Sequence, residues 1–255
     1  MAGVLDLFRL DGKVAVVTGA SRGLGAAMAV ALAEAGADVA LVARGDTATV
    51  EKAIKACGGR AVRVAEDVAV PGAAGRIHAA TLAAFGRADI LVNNAGIIRR
   101  ANLTDFSEAD WDEVLQVNLT AAFQLSQVFA RDWLARGQRG KIINVASMLS
   151  FQGGVRVVSY TAAKSALAGV TRAMANELAL AGINVNALAP GYMATDNTEA
   201  LRADAARSKS ILERIPAGRW GEPGDLAGAT VFLASAASDY MHGHILVVDG
   251  GWLAR

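Results

Sequence analysis

Seven short runs rich in β-branched residues alternate along this chain with longer, alanine-rich segments whose apolar residues recur at the helical period. Such alternation is typical of βα units whose parallel strands share one sheet. Several of the runs are apolar throughout, which indicates strands that helices cover on both faces. The predicted strands are residues 14–18, 39–43, 61–65, 90–93, 142–146, 184–188 and 245–248.

The segments between these strands are predicted to be helical, and no proline-rich linker, low-complexity tract or repeat interrupts them. A chain of 255 residues is long enough for one large α/β domain. We therefore predict a single domain over residues 1–255, an α/β fold with a doubly wound, seven-stranded parallel sheet and helices on both faces. The predicted helices are residues 23–35, 47–56, 72–85, 107–135, 159–181, 199–213 and 223–234.

Composition excludes several classes of protein. The 25 Lys and Arg residues balance 24 Asp and Glu residues without a basic block, which argues against a nucleic-acid partner. Cys57 is the only cysteine, so an internal disulfide framework is excluded and a reducing compartment is favoured. The longest uncharged stretch, residues 178–195, contains Asn and Pro, and the N-terminus has no basic leader. We expect a cytoplasmic protein without a membrane span.

A glycine-rich turn, TGASRGLG at residues 18–25, follows the first predicted strand and leads directly into a helix. Glycines allow close backbone approach to a pyrophosphate, and the helix N-terminus supplies unpaired N–H donors. The lysine of a P-loop is missing, which excludes a P-loop NTPase. A glycine turn can also be a plain loop, but its place after the first strand favours a dinucleotide site. The predicted contacts are Gly19, Ser21, Arg22, Gly23, Leu24 and Gly25.

The end of the second predicted strand bears on the choice of cofactor. A carboxylate there would bind the ribose diol of NAD, whereas an arginine would pair with the 2′-phosphate of NADP. Arg44 therefore favours NADP(H), and Asp46, two residues later, keeps NAD(H) as the alternative. A solvated surface charge is the other interpretation of Arg44. Asp67 and Val68 follow the third strand and are predicted to contact the adenine.

The fourth predicted strand ends in Asn93, Asn94, Ala95 and Gly96, at the edge of the sheet where open α/β proteins bind ligands. Asn93 is interpreted as a brace for the loop backbone, because asparagine side chains bond readily to nearby main chain. Asn94, Ala95 and Gly96 are predicted to line the cofactor cleft.

Tyr160 and Lys164 lie four residues apart at the start of a predicted helix and therefore share one face. An ammonium beside a phenol favours the phenolate, so Lys164 is expected to lower the pKa of Tyr160 and to bind the ribose hydroxyls. Ser147 ends the fifth strand and would hold the substrate oxygen against Tyr160. Asn118 would hold a water that relays protons to Lys164. Taken alone, the Tyr160 and Lys164 pair also fits a plain amphipathic contact.

Together, these motifs resemble the short-chain dehydrogenase/reductase family in order and spacing over essentially the whole chain. The family resemblance implies a Rossmann fold, a catalytic tetrad of Asn118, Ser147, Tyr160 and Lys164, and a homotetramer. It also implies contacts to the nicotinamide from Pro190, Gly191, Met193 and Thr195.

Longer stretches resemble one group within that family, the 2-deoxy-D-gluconate 3-dehydrogenases, also described as 2-dehydro-3-deoxy-D-gluconate 5-dehydrogenases. The resemblance implies hydride transfer between a nicotinamide and a secondary alcohol or ketone of a deoxy or keto-deoxy sugar acid. The sequence around Arg44 departs from that group, which is usually linked to NAD. The similar stretches are residues 98–100, 141–158, 184–195, 214–221 and 247–255.

Arginines in the loops after the fourth and fifth strands fit a substrate with a carboxylate. Arg99, Arg100 and Arg156 are the candidates, and pairing with nearby acids or a subunit interface is the alternative for each. The predicted substrate contacts are Arg100, Ser147, Gln152, Arg156, Tyr192 and Asn197.

The segment of residues 192–215, with its predicted helix 199–213, is a candidate lid. The three histidines, His78, His242 and His244, form no spaced set with acidic ligands, so no metal is expected. Trp111, Trp133 and Trp220 are interpreted as core or interface residues.

Two other functions stay open at this point. A 3-oxoacyl thioester or general ketone reductase of the same family would use the same chemistry on a neutral substrate. A catalytically silent dinucleotide-binding sensor would need none of the tetrad, and the presence of all four tetrad residues argues against it.

Overall fold

The computed structural model describes residues 3–255, and its central element is one sheet of seven parallel strands. These are β1 Val14–Thr18, β2 Asp38–Ala43, β3 Ala61–Ala65, β4 Ile90–Asn93, β5 Gly140–Val145, β6 Ile183–Pro190 and β7 Ile245–Val248. The order across the sheet is β3-β2-β1-β4-β5-β6-β7. The predicted fold class is confirmed: this is the strand order of a Rossmann fold with an additional strand at one edge.

The strand order creates a crevice. The chain moves outward from β1 to β3 and then returns to β4 on the opposite side of β1. The loops that follow β1 and β4 therefore diverge at the carboxyl edge of the sheet, where α/β proteins of this kind bind their ligands.

Nine α-helices are found in the described residues 3–255, and none of them is long and apolar enough to cross a membrane. They are α1 Gly23–Glu34, α2 Ala48–Ala56, α3 Ala73–Phe85, α4 Glu108–Leu115, α5 Ala121–Ala135, α6 Val158–Leu178, α7 Glu199–Ala203, α8 Ala205–Leu212 and α9 Ala227–Ala234.

Strand β1 packs against helices on both faces of the sheet. Ala15 and Val17 pack into a core cluster with Met28 of α1 on one face of the sheet. Val16 packs on the other face, in a cluster that includes Phe129 of α5. Because successive side chains of a strand point to opposite faces, both faces of β1 are buried, and all of its residues except Thr18 are apolar.

Two predicted helices are interrupted. The predicted helix 107–135 contains a five-residue π-helical turn, Gln116–Thr120, because the Asn118 side chain donates to the Val114 carbonyl oxygen, 2.8 Å away, four residues earlier. The predicted helix 199–213 breaks at Asp204, whose carboxylate instead caps α8 by accepting from the Arg207 backbone N–H at 3.0 Å.

Candidate active site

A cleft of about 660 Å³ lies at the carboxyl edge of the sheet, in the crevice between the loops after β1 and β4. It extends from the end of β2 to the start of α6. The predicted cofactor residues that line it are Gly19, Ser21, Arg22, Gly23, Leu24, Gly25, Arg44, Asp67, Val68, Asn94, Ala95, Gly96, Tyr160, Lys164 and Thr195.

The glycine turn leaves the N-terminus of α1 open to this cleft. Arg22 occupies the N-cap position with an extended backbone and makes no side-chain cap, so the first-turn N–H groups stay free for an anion. A Cβ on Gly25 would collide with the Gly19 carbonyl oxygen, because helix and turn pack in direct backbone contact. These features fit a pyrophosphate held by backbone donors.

The turn is braced by Thr18, the last residue of β1, and by Asn94, which follows the neighbouring strand β4. The Asn94 side chain donates to the Thr18 carbonyl oxygen at 2.8 Å, and the Thr18 hydroxyl accepts from the backbone N–H groups of Asn94 and Ala95 at 3.0 Å each. The expectation that Asn93 braces the loop backbone is not met: its buried amide donates to side chains of β5 and α5, Asn144 at 2.9 Å and Ser126 at 3.0 Å.

One end of the cleft carries an exposed arginine, Arg44, paired with a carboxylate. Arg44 is 72% exposed, and its guanidinium lies 3.4 Å from the Asp67 carboxylate. Asp46 accepts a hydrogen bond from the Ala48 backbone N–H at 3.1 Å, close to the start of α2. Both groups are hydrogen-bonded within the protein, but the Arg44 side chain is largely exposed at the cleft, where a 2′-phosphate can reach it.

Three of the four predicted nicotinamide contacts do not line this cleft. Pro190 ends β6, Met193 is 4% exposed and packs in the core below the sheet edge, and neither lines the cleft. Gly191 instead lines a second cavity, which adjoins the cleft at Tyr160. Thr195 does line the cleft, beside an ion pair of 3.1 Å between Arg22 and Asp196.

The four predicted catalytic residues meet where the cleft reaches α6. Lys164 is 3% exposed, donates to the Val145 carbonyl oxygen at 2.6 Å, and lies 5.5 Å from the centre of the Tyr160 ring. The Ser147 hydroxyl accepts from the Leu149 N–H at 3.1 Å. Asn118, inside the π-helical turn, donates to the carbonyl oxygens of Val114 and Ile97.

Asn118 also has an unused acceptor. Its Oδ1 is buried and has no hydrogen-bond partner within the described part of the chain. Buried polar atoms are almost always paired, so this oxygen is suited to hold a water or a ligand donor. The position fits the proton relay expected of Asn118.

Burial dominates the titration of the central pair. It raises the pKa of Tyr160, and the opposing effects of Ser147 and the Arg100 charge do not reverse that rise. Burial also lowers the pKa of Lys164 to about 8. The expectation that Lys164 lowers the pKa of Tyr160 is therefore not met here, because desolvation outweighs the neighbouring charges.

A second cavity of about 370 Å³ adjoins the cleft and shares Tyr160 with it. Its walls come from the loops after β4, β5 and β6, from α8 and from the C-terminal turn. Arg100, Arg207 and Arg214 line it, and no Asp or Glu among the described residues does. The predicted substrate contacts that line it are Arg100, Ser147, Gln152, Tyr192 and Asn197.

Two of the candidate arginines do not line this cavity. Arg99 pairs with Glu113 at 2.8 Å and with Asp110 at 3.3 Å, so for this arginine the structure shows the alternative of pairing with nearby acids. Arg156, a predicted substrate contact, is exposed outside the cavity. Its backbone is left-handed, with φ of 65°, and its carbonyl oxygen accepts from the Ala101 N–H, which fixes the loop in that arrangement.

Sequence reasoning missed Arg207, Arg214 and Trp252 as cavity residues. Arg207 lies in α8 and Arg214 follows it, both within the segment predicted as a lid. Their place in that segment was the sequence signal that could have identified them. Trp252 follows the paired Gly250 and Gly251. Its side chain is 4% exposed and packs edge-to-face on Tyr192, with ring centres 4.8 Å apart. Only the fold brings it to the cavity.

The remaining aromatic and histidine predictions concern residues outside the cavities. Trp133 is fully buried and donates from its indole nitrogen to the Ala88 carbonyl oxygen at 2.7 Å, as a core residue. Trp111 is 36% exposed on α4, and Trp220 packs against Tyr192 at the rim. Over residues 3–255, no group of three His, Cys, Asp or Glu side chains is arranged to hold a metal ion.

Comparison with known proteins agrees with this geometry. A short-chain dehydrogenase family model described as enoyl-(acyl carrier protein) reductase matches residues 19–253. The 2-dehydro-3-deoxy-D-gluconate 5-dehydrogenase of Dickeya dadantii is 55% identical over 253 residues, which cover 99% of this chain and 100% of the relative.

Two solved structures are similar over nearly their whole length. A candidate 2-deoxy-D-gluconate 3-dehydrogenase from Agrobacterium tumefaciens, with bound NADP, has a TM-score of 0.93 at 59% identity and covers 98% of this chain and 99% of its own. A gluconate 5-dehydrogenase from Burkholderia cenocepacia, in complex with NADP and tartrate, has a TM-score of 0.94 at 43% identity and covers 99% and 100%. The chain belongs to the short-chain dehydrogenase/reductase family of oxidoreductases.

Proposed function

We propose that this protein transfers hydride between NADP(H) and a secondary alcohol or ketone carbon of a deoxy or keto-deoxy sugar acid. The observation that carries the proposal is the second cavity. It adjoins Tyr160, three arginines line it, and no carboxylate of the described residues does. Arginine is the side chain best suited to bind a carboxylate, and unpaired positive charges in a partly closed cavity favour an anionic substrate.

NADP(H) is the cofactor that the cleft fits best. The open N-terminus of α1 suits the pyrophosphate, and the exposed head of Arg44 suits the 2′-phosphate. The similar proteins from Agrobacterium and Burkholderia were crystallised with NADP. NAD(H) remains the alternative, because Asp46 also lines the cleft. When bound, the cofactor supplies or accepts the hydride.

The side chains of the chain itself handle the proton. Tyr160 gives its phenolic proton to the carbonyl oxygen in reduction and takes it from the hydroxyl in oxidation. Ser147 holds the reacting oxygen against Tyr160. The Lys164 ammonium orients the ribose. Asn118 holds a water that connects Lys164 to solvent, because its buried Oδ1 is free to accept.

The chain is proposed to form a single domain over residues 1–255 that contains the substrate site. Within it, the segment 192–215 is proposed to act as a lid. Helices α7 and α8 contribute Leu201, Arg207 and Ile211 to the cavity wall, so their movement would open the cavity to solvent. The break at Asp204 gives this segment a joint between two short helices.

Exposed residues support a proposed assembly and a proposed location. A homotetramer is supported by large apolar side chains that stay exposed on the single chain, among them Phe123 and Leu134 of α5 and Tyr240 before β7. A cytoplasmic location is supported by the free, exposed thiol of Cys57.

An initial-rate screen tests the proposed function. D-gluconate, 2-deoxy-D-gluconate and 2-dehydro-3-deoxy-D-gluconate are assayed with NADP+ and NAD+, and the reverse reactions with NADPH and NADH, beside a 3-oxoacyl thioester. We expect turnover of at least one sugar acid and a higher kcat/KM with the phosphorylated cofactor. Turnover of the thioester without any sugar acid would overturn the substrate assignment. Cofactor binding without turnover on the whole panel would favour the silent sensor.

A further inference from the structure

Arg214 is the most firmly held of the three arginines in the second cavity. Its guanidinium lies 4.0 Å from the centre of the Trp252 ring, in cation–π contact, and donates to the Gln152 side-chain oxygen at 3.3 Å. The Arg207 guanidinium makes no hydrogen bond among the described residues, although its backbone N–H donates to Asp204. The Arg100 guanidinium donates to the Asn197 backbone oxygen at 3.0 Å. A planar, stacked guanidinium loses little freedom when it binds a ligand, so Arg214 is preorganised.

The last residues of the chain hold the segment that carries Arg214. Arg255 donates from its side chain to the carbonyl oxygens of Glu213, at 2.6 Å, and Arg214, at 3.2 Å. The Asp249 carboxylate accepts from the backbone N–H groups of Gly251 and Leu253, both at 2.8 Å, and so fixes the turn that presents Trp252. The position of Arg214 is therefore set by the C-terminal turn, residues 249–255.

The charge of Arg214 is not neutralised within the protein. No carboxylate in the described part of the chain lies within salt-bridge distance of it, whereas Arg219, five residues later, pairs with Asp225 through two bonds of 2.7 and 2.9 Å. A guanidinium that is stacked, hydrogen-bonded and still without a counter-ion is suited to bind an external anion.

Arg214 lies on the Tyr192 side of the cavity, because the Trp252 ring contacts both the Arg214 guanidinium, 4.0 Å from its centre, and the Tyr192 ring, 4.8 Å away. Tyr192 is partly buried, which raises its pKa, and the charges of Arg207, Arg214 and Arg100 oppose that rise. Of these three arginines, Arg100 alone acts on Tyr160 in the same way. Arg214 and Tyr160 line the same cavity, so a substrate whose reacting carbon is at Tyr160 shares that cavity with the Arg214 charge.

We propose that Arg214 binds the substrate carboxylate and thereby selects acids over neutral polyols, and that the C-terminal turn 249–255 positions it. This inference rests on the proposed sugar-acid function. A carboxylate held at Arg214 leaves the hydroxylated carbons of the substrate to span the distance to Tyr160. Trp252, Gln152 and Arg255 act through Arg214 as positioning residues.

The test compares an acid with its neutral counterpart, 2-deoxy-D-gluconate with 2-deoxy-D-gluconamide, both with NADP+. In the wild-type enzyme we expect the acid to have a kcat/KM about 10- to 100-fold above that of the amide. In Arg214→Gln, the KM for the acid is expected to rise about 10- to 100-fold while the KM for the amide and the kcat for the acid stay within about threefold. Arg219→Gln removes the same charge outside the cavity and is the matched control.

The positioning residues give a second, independent readout. Trp252→Leu removes the stacking contact and is expected to raise the KM for the acid, whereas Trp252→Phe keeps a ring and restores much of the wild-type KM. Arg255→Ala leaves the core intact and is expected to raise the KM for the acid with little change in kcat. If Arg214→Gln fails to fold, as judged by circular dichroism and NADPH binding, Arg214→Lys replaces it, with an intermediate rise in KM.

The outcomes separate the two proposals. If the wild-type enzyme turns over no sugar acid, the proposed function fails and this inference fails with it. If the wild-type enzyme prefers the acid and Arg214→Gln keeps that preference, the function stands and the role of Arg214 is overturned. If Arg214→Gln lowers kcat equally for acid and amide, Arg214 supports the fold of the cavity and does not select the carboxylate.

Discussion

Lys164 Nζ lies 5.5 Å from the centre of the Tyr160 ring and donates its hydrogen bond to the Val145 carbonyl oxygen at 2.6 Å. The spacing of four residues on α6 brings the two side chains to one face, and β5 supplies the carbonyl that holds the ammonium. Both groups titrate away from their usual pKa values because they are buried. The cofactor cleft and the arginine-lined cavity meet at Tyr160.

Tyr160→Phe should remove the proton donor without changing the shape of the cleft. We expect kcat to fall by about 100- to 10,000-fold, because general acid–base catalysis typically contributes that much. Affinity for NADPH, measured by the quenching of protein fluorescence, should change by less than about threefold, since the ring still packs. A variant with near wild-type turnover would refute the catalytic role of Tyr160.

Lys164→Met should remove a pH dependence of stability. In the folded protein the pKa of Lys164 is lowered from 10.5 to about 8, so the unfolded chain binds more protons between these two values. The free energy of unfolding of the wild type should therefore rise with pH from about 8 to about 10.5, by up to about 3 kcal/mol from this group.

The variant lacks this titration, so the difference in unfolding free energy between wild type and variant should shift by about that amount across the interval. Urea denaturation of both proteins at several pH values between 7 and 10.5 measures it. A difference that does not vary with pH would show that the pKa of Lys164 is not lowered in the folded protein. Other titrating groups cancel, because both proteins carry them.

Arg44→Ala should separate the two cofactors. Loss of a guanidinium–phosphate contact is expected to raise the Kd of NADPH by about 10- to 100-fold, whereas the Kd of NADH, which lacks the 2′-phosphate, should change by less than about threefold. Arg60→Ala is the control, because Arg60 pairs with Asp38 at 3.6 Å and does not line the cleft. Equal weakening of both cofactors in Arg44→Ala would contradict the assignment.

Gly25→Ala should damage the cofactor site through backbone contact. A Cβ there meets the Gly19 carbonyl oxygen, so we expect a loss of about 1 to 3 kcal/mol in unfolding free energy and a weaker affinity for NADPH. Gly75→Ala, on the exposed face of α3 with no atom within 4 Å of the new Cβ, should instead gain about 0.5 kcal/mol. Unaltered NADPH binding in Gly25→Ala would refute the close approach.

The fold and the cofactor cleft could be read from the sequence because their signals are local. Apolar runs and helical periods define βα units, and parallel connections through helices bring every strand's carboxyl end to one edge. Residues that follow strands, such as Gly19, Arg44, Asn94 and Ser147, therefore reach that edge whatever the details of packing. The helix spacing of Tyr160 and Lys164 likewise fixes a shared face before any tertiary contact forms.

The arginine set of the second cavity depended on contacts between distant segments. The sequence offered Arg99, Arg100 and Arg156 as candidates and predicted contacts from Arg100 and Arg156. In the structure Arg99 pairs with Glu113, and Arg156 has a left-handed backbone and an exposed side chain. Arg214 reaches the cavity because the C-terminal turn, dozens of residues later, stacks Trp252 beneath it. The raised pKa of Tyr160 likewise follows from burial, and burial is a property of the packed fold alone.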